Sequence, residues 1–214
     1  MTSMISRTRV KICGITRPED GATAAGLGAD AIGLVFHRPS PRFVTVDTAR
    51  RIIAALPPFV SVVGLFMNAE PAAIRAVLAE VALHELQFHG DEEPAACAAF
   101  GLPYIKAVPM GASADVRDYE QRFVGAAGLL LDSHGGQQMG GTGHGFDWTR
   151  IPAERHKPLI LAGGLHPGNV AAAIRQVRPY AVDVSSGVES AKGIKNAELM
   201  RAFLRGVYDC ESPP

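Results

Sequence analysis

Eight apolar runs that favour β-strands recur along the chain, and helical segments separate most of them. The runs occupy residues 10–15, 31–36, 60–66, 85–89, 104–108, 128–132, 158–162 and 181–185. Seven intervening segments have helical character: "PEDGATAAGLG", "TVDTARRIIAAL", "EPAAIRAVLAEV", "DEEPAACAAFG", "SADVRDYEQRF", "PGNVAAAIRQV" and "NAELMRAFLRGV". Alternation of this kind predicts parallel strands joined by right-handed crossover connections.

Eight strand units in one undivided chain favour a closed barrel over an open sheet. We therefore predict an α/β fold, a single-domain (β/α)8 TIM barrel over residues 1–214, with short flexible tails at about 1–7 and 209–214. The fold usually takes ~250 residues, so this example would be compact. An open doubly wound sheet is the alternative. Its dinucleotide-binding form is disfavoured because the G-x-G-x-x-A match at 26–31 precedes a strand instead of following one.

Composition and charge give no indication that the protein binds nucleic acid, spans a membrane or is secreted. Lysine plus arginine equals aspartate plus glutamate at 21 each, so no global field attracts nucleic acid or an anionic membrane. The N-terminus lacks the apolar stretch of a signal peptide, and the three cysteines include no CxxC pair. The stretch most similar to a membrane span, 52–67, is interrupted by Pro57-Pro58 and is shorter than the ~20 residues that a spanning helix needs. We expect a soluble, cytoplasmic, free-standing protein.

Polar residues stand at the ends of several predicted strands. In a barrel, strand residues alternate between the interior and the helix layer, and active sites lie at the carboxyl ends of the strands. The residues expected on the interior face at that end are Lys11, Cys13, Gln87, His89, Asp132, Asp183 and Ser185. The sequence thus predicts a polar site at one end of the barrel.

Two glycine-rich turns follow the seventh and eighth strands. "LAGGLHPGNV" leads into a helix that we expect to begin at Pro167, and "SSGV" follows the last strand. Small residues let backbone N–H groups approach an anion, and turns at these two places form the recurrent phosphate site of the fold. Tight turn geometry alone would also select small residues. Their position favours a phosphate site made by Gly163, Gly164, Ser185, Ser186 and Gly187.

An ordered set of motifs carries a family resemblance. "KICGIT", "FHRPSPR", "QFHG", "LLLDS", "GGTGHGFDW", "LAGGL" and "DVSSGVES" followed by "KGIK" occur in this order. In them the chain resembles phosphoribosylanthranilate isomerase, an enzyme of tryptophan biosynthesis, from about residue 8 to residue 207. The resemblance implies a (β/α)8 barrel and an Amadori rearrangement, without cofactor, of N-(5-phosphoribosyl)anthranilate into 1-(o-carboxyphenylamino)-1-deoxyribulose 5-phosphate.

The resemblance also implies roles for individual residues. Asp132 would be the acid that protonates the ring oxygen as the furanose opens, and Cys13 the base that removes the C2 proton. Arg42 would pair with the anthranilate carboxylate, for which its bidentate fork is well suited. We expect Lys11 to favour the thiolate of Cys13.

Other residues are expected to complete the site. Lys11, Gln87, His89 and Asp183 are predicted to contact the substrate, with His89 in a hydrogen-bonded, structural role. The loop that contains Gly141, Thr142 and Gly143 is expected to close over bound ligand. No metal-binding pattern is present in the sequence. We expect the binding partner to be a small phosphorylated substrate, and the protein to be a monomer or a homodimer.

Alternatives stay open at this point. A buried cysteine is usually a small hydrophobic filler, as we expect for Cys97, whereas Cys210 should be an exposed thiol in the tail. A strand-terminal aspartate often caps a turn. Indole-glycerol-phosphate synthase and ribulose-phosphate epimerase would share the phosphate turns, but the first needs a lysine acid and the second metal ligands, and neither pattern is evident. A non-catalytic barrel that binds a phosphorylated ligand, or a redox sensor acting through Cys13, is the alternative from another class.

Overall fold

The computed structural model describes residues 7–111, 114–133 and 146–210. The predicted covering loop with Gly141, Thr142 and Gly143 lies outside the described residues. Eight parallel strands form a closed barrel in chain order. They are β1 Arg9–Cys13, β2 Ala31–Val35, β3 Ser61–Phe66, β4 Glu85–Phe88, β5 Tyr104–Pro109, β6 Gly128–Asp132, β7 Leu159–Leu161 and β8 Ala181–Val184. The predicted (β/α)8 barrel is confirmed, because β1 pairs with both β2 and β8.

Helices cover the outside of the barrel. They are α1 Pro18–Gly26, α2 Val46–Ala54, α3 Pro71–Glu80, α4 Pro94–Cys97, α5 Val116–Arg122, α6 Val170–Val177 and α7 Ala197–Tyr208. Short 3-10 turns occur at Ala98–Phe100, Trp148–Arg150 and Ser186–Val188. Each α-helix coincides with one of the seven segments predicted from the sequence. Among the described residues, no helix has the length and apolar character needed to cross a membrane.

Local sequence signals account for where several helices begin and end. Thr45 and Asn196 precede α2 and α7, and their side chains accept hydrogen bonds from the backbone N–H groups of Thr48 and Leu199. Such caps satisfy N–H groups that have no partner within the helix. Gly101 ends the helical segment after β4 in the left-handed region, with φ of 72°, which a residue without Cβ adopts at little cost.

The helix expected to begin at Pro167 begins three residues later, at Val170. Side chains close the intervening turn and explain the difference. The backbone N–H of His166 donates to Oδ1 of Asn169 at 2.8 Å, and Nδ2 of Asn169 donates to the carbonyl of Gly164 at 2.9 Å. Asn169 therefore ties the start of α6 to the glycine turn after β7.

Strand alternation divides the buried residues into two sets. Residues such as Ile12, Ile32 and Leu86 are fully buried between the barrel and the helices. A smaller set fills the barrel interior: Ile105, Ala107, Leu130, Ile160, Ala162 and Ala181. Burial of apolar surface in both layers is the main force that stabilises the fold. On β1 the same alternation turns Lys11 and Cys13 towards the interior.

A small antiparallel hairpin after β8 was not predicted. Its strands are β9 Glu189–Ala191 and β10 Ile194–Lys195. Gly193, with φ of 78°, lies in the turn. Strands of three and two residues give too short a hydrophobic pattern to be recognised in a sequence. This hairpin carries two charged residues into the site.

Candidate active site

The closed barrel fixes the order of the site residues around its carboxyl end. Asp132 ends β6 and Cys13 ends β1, and the two strands between them are β7 and β8. The glycine turns that follow β7 and β8 therefore lie between the predicted acid and the predicted base. The loop after β2, which carries Arg42, is on the other side of Cys13.

Cys13 fits because its neighbour on β2 is a glycine. Cys13 pairs in register with Gly33. A Cβ atom on Gly33 would lie 2.7 Å from Sγ of Cys13 and 3.2 Å from Nζ of Lys11. Any larger residue would displace both side chains. Cys13 is 6 % exposed, so it is buried but not completely removed from solvent.

Lys11 forms a buried ion pair with Asp183 of β8. The distance from Nζ to Oδ1 is 2.9 Å, and both side chains are buried. Burial by itself would lower the pKa of Lys11, but the charges of Asp183 and Cys13 raise it above its usual value. Lys11 thus stays an ammonium ion, and the predicted proximity of Lys11 to the thiol is present in the structure.

The thiol itself is less acidic than we expected. Burial raises the pKa of Cys13 above its usual value, and this effect outweighs the lowering by the positive charge of Lys11. Asp183 raises the pKa further, whereas Lys195 lowers it. The lysine acts in the predicted direction but does not make Cys13 a thiolate at neutral pH. The thiolate is a minority species there.

Asp132 contacts His89, which directly follows β4, and through His89 it is linked to Gln87 of β4. Nε2 of His89 lies 3.3 Å from Oδ2 of Asp132, and Nε2 of Gln87 lies 3.1 Å from Nδ1 of His89. An amide nitrogen can only donate, so in a neutral imidazole Nδ1 accepts and the Nε2 proton faces Asp132. Gln87 and His89 therefore orient the carboxyl group. The buried Oε1 of Gln87 has no partner among the described residues.

The two glycine turns touch each other and Asp132. Gly163 and Gly164 have φ of 77° and 70°, in the left-handed region. A Cβ on Gly187, in the 3-10 turn after β8, would collide with the carbonyl oxygen of Leu165. A Cβ on Gly163 would lie 2.9 Å from Oδ1 of Asp132. Gly187 of the second turn thus packs against the first turn, and Gly163 of the first turn lies beside the carboxyl group of Asp132.

Arg42 is paired with a residue to which the sequence analysis gave no role. Its Nε and Nη2 donate to the two carboxylate oxygens of Glu189 at 2.7 and 2.8 Å. Nζ of Lys195 lies 2.8 Å from Glu189 Oε1 and donates to the carbonyl of Ser185 at 3.1 Å. Glu189 and Lys195 both stand in the motif "DVSSGVES" with "KGIK", which was the available signal.

The remaining cysteines differ in their environments. Cys97 is fully buried as predicted, and burial raises its pKa to about 11. Cys210 was expected to be an exposed tail thiol, and this was wrong. It is half-buried, and its Sγ donates to the carbonyl of Ala171 at 3.1 Å because the end of α7 packs against α6. The described residues contain no group of three His, Cys, Asp or Glu side chains placed to hold a metal ion.

Comparison with known proteins identifies the family. The family model described as N-(5'-phosphoribosyl)anthranilate (PRA) isomerase matches residues 10–206. The chain belongs to this family. An N-(5'-phosphoribosyl)anthranilate isomerase of Nitrosococcus oceani is 54% identical over 201 residues, which cover 94% of this chain and 98% of that protein.

Solved structures agree with the family assignment. The phosphoribosyl anthranilate isomerase of Thermotoga maritima superposes with a TM-score of 0.82 at 40% identity, over 94% of this chain and 99% of that one. A phosphoribosyl anthranilate isomerase in complex with reduced 1-(o-carboxyphenylamino)-1-deoxyribulose 5-phosphate has a TM-score of 0.78 at 39% identity, with coverage of 94% and 99%.

Proposed function

We propose that the chain converts N-(5'-phosphoribosyl)anthranilate into 1-(o-carboxyphenylamino)-1-deoxyribulose 5-phosphate in tryptophan biosynthesis, with Asp132 as general acid and Cys13 as general base. The family match over residues 10–206 is the main support for this reaction. The placement of Cys13 and Asp132 on either side of two adjoining glycine turns supports the two roles. A phosphorylated sugar held by those turns would lie between acid and base.

Asp132 acts in ring opening. Its proton passes to the ring oxygen of the furanose, the bond between C1 and that oxygen breaks, and the nitrogen lone pair forms a protonated Schiff base. His89 and Gln87 hold the carboxyl group in one orientation for this transfer. Positioned proton transfer of this kind typically contributes a factor of ~10² to 10⁴ in rate.

Cys13 acts in the second half of the reaction. The thiolate removes the proton at C2, and the electrons of that C–H bond form a C1–C2 double bond while the imine nitrogen becomes an amine. The resulting enolamine tautomerises to the ketone. Substrate and product have the same atoms, so the reaction balances without an external oxidant or reductant. Lys11 stabilises the thiolate when it forms, since its charge lowers the pKa of Cys13.

Two anionic groups anchor the substrate in this proposal. The phosphate is held by Gly163 and Gly164 from one turn and by Ser185, Ser186 and Gly187 from the other, where small residues let backbone N–H groups approach. The anthranilate carboxylate is held by Arg42. Asp183 contributes through its ion pair with Lys11. Location in the cytoplasm, the covering role of residues 141–143 and the choice between monomer and homodimer stay predictions.

A single assay tests the activity. Phosphoribosylanthranilate is fluorescent, so we expect its emission to fall when the purified chain is added and the product to be recovered by chromatography. A phosphate-binding barrel without catalysis would bind the product analogue yet leave the fluorescence unchanged. That result would contradict the proposed function.

A further inference from the structure

We propose that Glu189 and Lys195, on the hairpin after β8, are positioning residues that hold Arg42 ready for the substrate carboxylate and link it to the phosphate turn at Ser185. The inference rests on the proposed function, because it assumes a substrate that carries both a carboxylate and a phosphate. Neither residue needs to touch the reacting atoms.

Glu189 fixes one edge of the Arg42 guanidinium. Nε and Nη2 donate to the two oxygens of the carboxylate, at 2.7 and 2.8 Å, in a bidentate pair. A guanidinium has five N–H donors, so two on Nη1 and one on Nη2 remain beyond this pair. These form the end-on fork that matches a second carboxylate. The pair with Glu189 therefore occupies the side of the guanidinium and leaves the end-on fork for the substrate.

Both members of this pair are well removed from solvent. The side chain of Arg42 is 13% exposed and that of Glu189 is 6% exposed. Burial alone would raise the pKa of Glu189, but the hydrogen bonds from Arg42 and Lys195 hold it below its usual range. Glu189 is thus a carboxylate at neutral pH. A buried bidentate pair restricts the rotamers of a long arginine side chain far more than an exposed ion pair does.

Lys195 extends the pair to the phosphate turn. Its ammonium group has no exposed surface and donates to Glu189, to the Ser185 carbonyl at 3.1 Å and to the Ser185 hydroxyl at 3.4 Å. The cluster of Arg42, Glu189 and Lys195 contains two cations and one carboxylate, so it carries one net positive charge. That excess favours an anionic ligand beside it.

The backbone around the cluster leaves little room for it to rearrange. Gly14, with φ of 75°, separates Arg42 from Ser185. A Cβ at Gly14 would collide with Cδ of Arg42 and lie 3.1 Å from the hydroxyl oxygen of Ser185. The hairpin is fixed on its other side because the backbone N–H of Lys195 donates to Asp20 at 3.1 Å. Gly14, directly after β1, therefore packs against Arg42, and Asp20 of α1 holds the hairpin that carries Glu189.

A pair of ligands separates positioning from general structural support. One is reduced 1-(o-carboxyphenylamino)-1-deoxyribulose 5-phosphate, and the other is the same molecule without the carboxylate. We expect Glu189→Gln to weaken binding of the first at least tenfold and of the second less than twofold, as measured by calorimetry. Glutamine is neutral and has an NH2 donor in place of one carboxylate oxygen, so it cannot accept from both Nε and Nη2 of Arg42 through two oxygens. We therefore expect the fork of Arg42 to be released while the phosphate turn is kept.

Lys195→Met should give a different pattern. Because Lys195 contacts both Glu189 and the phosphate turn, we expect it to weaken both ligands at least threefold. Glu198→Gln is the matched control, since Glu198 lies on the exposed surface of α7 and pairs with Arg201 there. It should bind both ligands like the unmodified chain. Glu189→Asp keeps the charge and should recover part of the lost affinity for the carboxylated ligand.

The kinetic readout is the change in KM relative to kcat. For Glu189→Gln we expect KM to rise at least tenfold while kcat falls less than threefold. If Glu189→Gln weakens binding of the two ligands equally, or weakens neither, the inference is wrong. The proposed function would still stand in that case, provided that the unmodified chain turns over its substrate. Failure of the unmodified chain to bind the carboxylated ligand would overturn both.

Discussion

Nζ of Lys11 and Oδ1 of Asp183 lie 2.9 Å apart inside the barrel, two residues along β1 from the thiol of Cys13. The two charges act on Cys13 with opposite sign. The positive charge of Lys11 lowers the pKa of the thiol, and the negative charge of Asp183 raises it. The ion pair therefore sets the fraction of Cys13 that is thiolate, against a background of burial that disfavours the thiolate.

The first prediction concerns the opposite effects of Lys11 and Asp183 on the pKa of Cys13. Lys11→Met removes the cation and should raise the pKa of Cys13, whereas Asp183→Asn removes the anion and should lower it. The pKa is read from the pH dependence of alkylation of Cys13 by iodoacetamide, in a Cys210→Ser background. A nonspecific disturbance of the pair would move both variants in the same direction, and that outcome would contradict the electrostatic account.

The second prediction concerns stability. Removing one member of the ion pair leaves a buried charge without its partner, which typically costs about 3–5 kcal/mol of unfolding free energy. Lys11→Met/Asp183→Leu removes both charges and should cost less than either single change. Urea unfolding measures the free energy of unfolding of Lys11→Met, of Asp183→Leu and of the double variant. If the losses of the two single variants add up to the loss of the double variant, Lys11 and Asp183 do not act as a pair.

The same pair has a defined pH dependence. The folded-state pKa of Lys11 is raised above that of the unfolded chain. Its stabilising contribution is therefore fully present below the unfolded pKa of ~10.4 and is lost as pH rises through the folded pKa. The unfolding cost of Lys11→Met should consequently be equal at pH 7 and pH 9.

The third prediction tests the general acid. Asp132→Asn keeps the size and most hydrogen bonds of the side chain but removes the transferable proton. We expect kcat to fall by at least ~10², with little change in the affinity for the product analogue. Asp118→Asn, at an exposed position of α5, is the control for an aspartate-to-asparagine change. Near-normal kcat in Asp132→Asn would remove Asp132 from the mechanism.

The sequence was sufficient to predict the barrel and most residues at its carboxyl end. Strand periodicity places Lys11, Cys13 and Asp183 on the interior face, and closure of the barrel then brings β1 beside β8. The pairing of Arg42 with Glu189 could not be predicted, because these residues are 147 positions apart. Contacts between loops depend on how two irregular segments approach each other, and no local pattern encodes that.

The net effect of the charge of Lys11 and of burial on the pKa of Cys13 also could not be predicted from the sequence. The sequence shows that Lys11 is two residues from Cys13, and Lys11 lowers the pKa of the thiol as expected. The depth of burial is not visible, because it depends on residues from every neighbouring strand, including Gly33 of β2. Desolvation turned out to be the larger effect.

The fourth prediction tests the phosphate turn after β7. Gly164 has φ of 70°, a conformation that costs an alanine roughly 1 kcal/mol or more. Gly164→Ala should therefore displace the turn and weaken inhibition by inorganic phosphate and binding of the product analogue to a similar extent. Ser190→Ala, in the exposed part of the hairpin, is the control. Unchanged inhibition by phosphate in Gly164→Ala would place the anion elsewhere.

The fifth prediction asks whether Cys13 is a reagent or a packing residue. In the Cys210→Ser background the two remaining thiols differ in exposure, since Cys97 is fully buried in the core whereas Cys13, at the end of β1, is 6 % exposed. Iodoacetamide at pH 8.5 should modify Cys13 first, as mapped by mass spectrometry, and activity should fall in step. The reduced product analogue should slow both processes together. Full activity after complete modification of Cys13 would exclude it as the base, because a thioether cannot accept the proton from C2.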